Sequence, residues 1–128
     1  PKLGSVIIDT WQNEPYINTA LMDMVDIATP HIAGYSYQGK QNGTTAVVRS
    51  VARYFGIKEL YDFFPASDIA ELRAVKLDLK GLSQGEITSV IQYNYPIFTD
   101  DFLFRMSPFN FEKMRTEYNY RREFFVEY

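Results

Sequence analysis

The 128-residue sequence is 46% hydrophobic and 23% charged, a balance that supports a packed core and excludes a disordered tail as its main content. Its net charge of -3, without any long run of Lys or Arg, excludes the electrostatic footprint of a nucleic-acid binder. With no cysteine there is neither a disulfide framework nor a thiolate metal site, which fits a reducing cytoplasm, and no apolar run approaches the ~20 residues of a membrane helix.

The chain begins Pro1-Lys2-Leu3, without an initiator methionine or a charged-then-apolar leader, and reads as a piece of a longer protein. Val6-Ile7-Ile8, within Leu3 to Ile8, is a continuous apolar run ending at Asp9, the pattern of a parallel-sheet strand buried on both faces. Asn13-Glu14-Pro15 is a breaker. Leu21, Met22 and Val25 then suggest a short helix or turn, and Val25 to Ala28 a second strand ended by Pro30. Gly34 to Gly43 is polar, contains three glycines and predicts a loop. From Thr44, residues Val47, Val48, Val51, Ala52 and Phe55 fall at helical spacing, with Gly56 placed to close the helix.

Ile57 to Ala70, which includes Pro65, reads as a linker between two structural units. Arg73 to Leu79 alternates through Val75, Leu77 and Leu79 as a half-exposed strand. Ser83-Gln84-Gly85-Glu86 has the form of a capping box, opening a helix with Ile87, Val90 and Ile91 on one face and a stop at Pro96. Ser107-Pro108 opens another helix through Met114 and Tyr118, with Glu112, Lys113 and Glu117 facing solvent, and Arg122 to Tyr128 returns as a final strand. The predicted fold class is mixed: α/β in residues 1–56, and in residues 57–128 a small α+β unit whose single sheet leaves one face needing cover.

The single histidine, His31, follows a predicted strand and precedes the glycine-containing loop. It and Asp9 would therefore lie at the carboxyl ends of strands, where ligands of open α/β sheets bind. A carboxylate beside an imidazole fixes its tautomer and favours its charged form, and Glu14 can supply one. On spacing alone, a loop-end histidine and a solvated turn carboxylate is the plainer reading. Lys40, in a glycine-flanked loop, could meet a phosphate, with an exposed lysine again the plainer reading. Trp11 reads as a packing residue, and Asp100-Asp101, lacking partners at metal-ligand spacing, as a cap or solvated turn. The aromatics Phe109, Phe111, Tyr118, Tyr120, Phe124, Phe125 and Tyr128 read as core and interface together, in a chain with 16% aromatic residues.

The string Ile8-Asp9-Thr10-Trp11-Gln12-Asn13-Glu14-Pro15, followed by Val25-Asp26-Ile27-Ala28-Thr29-Pro30-His31-Ile32-Ala33-Gly34, resembles the closing signature of the D-2-hydroxyacid dehydrogenase family, with its D-V-x-x-x-E-P turn and T-P-H-I-A-G loop. The continuation from Tyr35 to Thr45, G-Y-x-x-x-G-K-x-x-G-T with the preceding Gly34, resembles the branch acting on 4-phospho-D-erythronate, which has an extra carboxy-terminal dimerisation domain. Residues 3 to 56 show the resemblance; beyond them it rests on position and on the ending Tyr120-Arg121-Arg122-Glu123.

The resemblance implies that residues 1–56 are the carboxy-terminal part of a Rossmann-type NAD-binding, catalytic domain and that residues 57–128 make a homodimer. It makes His31 and Glu14 the catalytic residues, with His31 moving the proton, places Asp9 on the nicotinamide side of NAD and Gly34 where the loop passes close to the cofactor, and sets Tyr35 against the phosphorylated substrate. The implied reaction is NAD-linked oxidation of the 2-hydroxyl of 4-phospho-D-erythronate, on the route to pyridoxal phosphate. Thr10 departs from the usual valine and Gln12 from a frequent acid, neither at a catalytic position. The G-x-G-x-x-G cradle does not occur in the chain, and the family's carboxylate-binding arginine would lie upstream of Pro1, since Arg49 and Arg53 do not occupy its motif; the chain alone is expected to be inactive. Two other readings stay open: an oligomerisation module, and another D-2-hydroxyacid dehydrogenase with an unrelated tail such as a regulatory domain.

Overall fold

The computed structural model describes residues 4–66 and 74–127. The expectations that fell on Leu3, Arg73, Tyr128 and residues 67–70 of the linker lie outside the described residues. In chain order the elements are β1 (Ile7–Ile8), α1 (Thr19–Met22), β2 (Ile27–Ala28), α2 (Tyr37–Phe55), a 3-10 turn (Lys58–Leu60), β3 (Val75–Asp78), α3 (Gln84–Asn94), α4 (Ile97–Met106), a second 3-10 turn (Pro108–Asn110), α5 (Phe111–Thr116) and β4 (Phe124–Glu127). Helix and strand are mixed, and both sheets are small and parallel. The chain divides into two compact units, Pro1–Ala33 with Leu82–Asn119 and Gly34–Gly81 with Tyr120–Tyr128.

In the first unit β1 and β2 pair in parallel, Ile7 opposite Ile27 and Ile8 opposite Ala28. Asp26 fixes this register: its carboxylate accepts the Val6 amide at 2.6 Å while its own amide donates to the Val6 carbonyl at 2.9 Å. The expected strand buried on both faces is corrected here, because with one partner strand Ile7 remains 60% exposed. The core consists of Trp11, Met22, Val25, Ala28, Phe104 and Phe111, with Val6, Ile8, Ile17 and Met114 packed around it. Trp11 meets Phe104 edge-on at 5.9 Å and Phe104 meets Phe111 at 5.8 Å. Each large apolar side chain so buried contributes ~1.5–3 kcal/mol.

Helix α4 was not foreseen. Pro96, expected as a stop, is also the residue that opens α4, and the helix keeps Phe98, Phe102, Leu103 and Met106 exposed while burying Phe104, so no clean apolar stripe marks it in sequence. It is anchored by polar bonds instead. Arg105 donates to the carbonyls of Met22 and Val25 at 2.7 and 2.9 Å and pairs with Asp101 at 2.9 Å, whose carboxylate accepts the Ala28 amide at 2.6 Å. Asp100 accepts the Tyr118 hydroxyl at 2.9 Å, so Asp100-Asp101, expected as a cap or solvated turn, is neither: Pro96 is the N-cap of α4, and the two carboxylates are anchors. The capping box of α3 forms as expected, with Ser83 and Glu86 bonded reciprocally.

In the second unit α2 begins at Tyr37, not Thr44, and the predicted loop from Gly34 to Gly43 is mostly helix. Ser36 caps it, its hydroxyl oxygen accepting the Gly39 amide at 2.8 Å. Gly39 is required by packing: a Cβ there would lie 2.6 Å from the Gly34 carbonyl oxygen and 2.8 Å from Ser36 Oγ. Gly56, at φ 70°, closes the helix as the sequence predicts. Of the residues at helical spacing only Ala52 is buried, together with Thr45, while Val47, Val51 and Phe55 are exposed. The following segment folds back on α2, Arg49 donating to the Phe63 carbonyl at 2.9 Å. β3 pairs with β4 in parallel from Val75 opposite Phe124 to Asp78 opposite Glu127, both alternating half-buried and exposed. Each unit combines sequence from before and after residue 57, because α4 packs on β2 in the first and Ser36 bridges to Arg121 in the second.

Candidate active site

Asp9 directly follows β1, and its carboxylate gathers the loop that follows β2. Oδ1 accepts the Thr29 hydroxyl at 2.7 Å and the Ile32 amide at 2.8 Å, and Oδ2 accepts the Ala33 amide at 3.1 Å. His31 is thus flanked by tethered residues. It has φ 57°, a left-handed conformation uncommon for a residue with a Cβ, and its own carbonyl accepts from Arg115 Nε at 3.3 Å.

Glu14 comes from the turn after Trp11, where Asn13 has φ 64° and the Glu14–Pro15 peptide is cis. Glu14 Oε1 accepts the Trp11 amide at 2.7 Å, and Oε2 lies 2.8 Å from His31 Nδ1. The indole of Trp11 donates to the Thr29 carbonyl at 2.8 Å, so Trp11 is the packing residue expected and also ties the two turns together. Partial burial pushes the Glu14 carboxyl up, but the hydrogen bond to His31, the Trp11 amide and the nearby charges of His31 and Arg115 outweigh it and hold the carboxyl below its usual range. An ionised carboxylate only accepts, so Nδ1 carries the shared proton, and in the neutral imidazole Nε2 is then the nitrogen with the free lone pair. The His31 side chain is 44% exposed and that of Glu14 21%, so Glu14 is sheltered and His31 accessible. This arrangement can take or give a proton at Nε2.

Gly34 and Tyr35 belong to the second unit. A Cβ at Gly34 would meet nothing within 4 Å, so no protein neighbour demands the glycine. Tyr35 packs edge-on against Tyr120 at 5.8 Å, and the Lys40 ammonium lies 3.3 Å from the centre of the Tyr35 ring. Lys40 is therefore a half-buried cation on an aromatic face and not a solvated lysine. Among the described residues no cluster of His, Cys, Asp or Glu could hold a metal, and no helix is long and apolar enough to cross a membrane.

The sequence marks Asp101 only as a cap or solvated turn and does not single out Arg105 or Arg115, yet the three reach this region from 73, 80 and 84 positions away. No local pattern announces such contacts. What was legible is the His31–Glu14 pair itself: a histidine and a carboxylate on two turns beside a parallel pair of strands.

The chain is 35% identical to the erythronate-4-phosphate dehydrogenase of Teredinibacter turnerae across 94% of its own length, and spans 33% of that protein. It is 36% identical to the enzyme of that name from Shigella dysenteriae and 35% to that from Yersinia enterocolitica, in each case across 93% of this chain and 32% of the relative. No family model matches the chain. The chain is a homologue of the erythronate-4-phosphate dehydrogenases and spans about a third of their length.

Proposed function

We propose that the chain is the carboxy-terminal portion of an NAD-dependent dehydrogenase that oxidises 4-phospho-D-erythronate at its 2-hydroxyl, on the route to pyridoxal phosphate, in the cytoplasm. The name of its relatives supports the substrate. The observation that carries the chemistry is the 2.8 Å contact of His31 Nδ1 with Glu14 Oε2, which leaves Nε2 to move the proton. NAD, when bound, supplies the hydride acceptor. His31 takes the hydroxyl proton, and Glu14 keeps Nδ1–H oriented and offsets the charge that the imidazole gains.

The residues assigned to NAD fit a limited share of it. A carboxylate offers about four acceptor positions, and Asp9 uses three of them within its own loop. One remains for a donor such as a carboxamide N–H. Gly34, with nothing near its missing Cβ, suits a ligand approaching the backbone, and Tyr35 is assigned to the phosphorylated substrate. In this reading residues 1–56 carry the end of the NAD-binding domain and residues 57–128 the dimerisation domain, as stretches of sequence, whereas each compact unit of the fold draws on both. Support for the latter comes from open aromatic surface: Tyr93, Phe102, Phe109 and Phe125 are 90, 61, 82 and 68% exposed.

In the full-length enzyme, His31→Gln should lower kcat by ~10²–10⁴-fold while KM changes little. A loss confined to KM, or an unaltered enzyme that does not turn over 4-phospho-D-erythronate, contradicts the assignment. Sedimentation of the 128-residue chain tests the homodimer, which a folded monomer at high micromolar concentration would rule out.

A further inference from the structure

We infer that Arg115, in α5, is a positioning residue for the His31–Glu14 pair. The inference rests on the dehydrogenase reading above and concerns the peptide unit joining His31 to Ile32. That unit is held at both ends: its carbonyl oxygen accepts from Arg115 Nε at 3.3 Å, and its amide donates to Asp9 Oδ1 at 2.8 Å. A cation thus sits at the negative end of the peptide dipole and an anion at the positive end, which strengthens both bonds. The orientation of this peptide fixes ψ of His31, a residue at φ 57° whose side chain has to reach Glu14.

Arg115 is itself placed by packing. Its guanidinium carbon lies 5.7 Å from the ring centre of Phe111, which is 1% exposed and in contact with Phe104 in the core. The guanidinium thus lies against a ring of the unit's core. Its charge is also among those that keep the Glu14 carboxyl ionised, the form that accepts from Nδ1. Without Arg115 the peptide is held at the amide end alone, and the imidazole gains freedom to leave Glu14.

The test uses the full-length enzyme with Arg115→Met, which keeps an apolar stem for Phe111, and Arg115→Lys, which keeps a charge and a donor; His31→Gln is the reference. Expected for R115M is a kcat lowered by up to about 10²-fold, the scale of a ~1 Å misplacement, with KM for both substrates little changed. R115K should fall between R115M and the unaltered enzyme. The ¹⁵N signals of the His31 ring, assigned by their loss in H31Q, should report one Nδ1–H tautomer in the unaltered enzyme and a mixture in R115M. Unaltered kcat per folded molecule with a single tautomer in R115M, even at a lower melting temperature, overturns the inference. If R115M does not fold, the same result in R115K overturns it. An enzyme indifferent to H31Q would instead overturn the dehydrogenase reading on which it rests.

Discussion

The carboxylate of Asp101 accepts the amide hydrogen of Ala28 at 2.6 Å across 73 positions of sequence. Ala28 is the last residue of β2, wholly buried, and three residues before His31. Replacing Asp101 by Ala orphans that amide and removes the ion-pair partner of Arg105, which should cost about 2 kcal/mol. Urea unfolding of the chain measures it. Asp101→Asn, which still offers an acceptor, should cost about half as much, and a shift below ~0.5 kcal/mol for D101A would mean that the anchor contributes nothing beyond a surface substitution.

Glu14 gives stability a pH dependence whose sign follows from its depressed carboxyl. A carboxyl held lower in the folded state than in the unfolded chain stabilises the fold fully above the unfolded value, about 4.3, and this contribution is lost as pH falls through the folded value. Below that, both states are protonated. Glu14→Gln should therefore unfold at lower urea than the unaltered chain near neutrality, and the difference should shrink as the solution is acidified below pH ~4. A difference that stays constant or grows on acidification would show that Glu14 acts through packing and not through its charge.

The Glu14–His31 pair was legible because both residues lie in short motifs whose resemblance to a known family is specific, and the strands flanking them are marked by contiguous apolar residues. The capping box at Ser83 and the closing Gly56 were legible for a local reason too, since capping depends on residues three or four apart. Helix α4 was not, because its burial is concentrated in Phe104 and its attachment is made by Asp101 and Arg105 to backbone groups remote in sequence. The start of α2 was hidden by Gly39 and Gly43, which read as loop residues. Only the three-dimensional neighbours of Gly39 reveal a glycine required by packing inside a helix.

Those two glycines give a paired test. Alanine is favoured over glycine within a helix by about 1 kcal/mol, and a Cβ on Gly43 would meet nothing within 4 Å, so Gly43→Ala should stabilise the chain by ~0.4–1 kcal/mol. Gly39→Ala should do the reverse, because its Cβ would collide with the Gly34 carbonyl at 2.6 Å, a backbone atom that cannot swing aside alone. Thermal melts of the two variants decide it. If G39A melts at or above the unaltered temperature, the contact of the first turn of α2 with Gly34 is looser than described.

The last prediction concerns how much of NAD the 128 residues can hold by themselves. Pyrophosphate in dinucleotide folds is bound by a glycine-rich turn opening a helix, and no G-x-G-x-x-G occurs in this sequence. On the proposed reading the chain offers the cofactor one acceptor position on Asp9, the other three being taken by Thr29, Ile32 and Ala33, and separately, in the second unit, an unobstructed backbone at Gly34. A net gain of ~1 kcal/mol per hydrogen bond does not offset an association cost of at least ~4 kcal/mol. Calorimetric titration of the chain with NAD should therefore show a Kd above about 1 mM, equivalent to less than ~4 kcal/mol of binding. Micromolar affinity would mean that these residues form a more self-contained cofactor site than their hydrogen bonds allow.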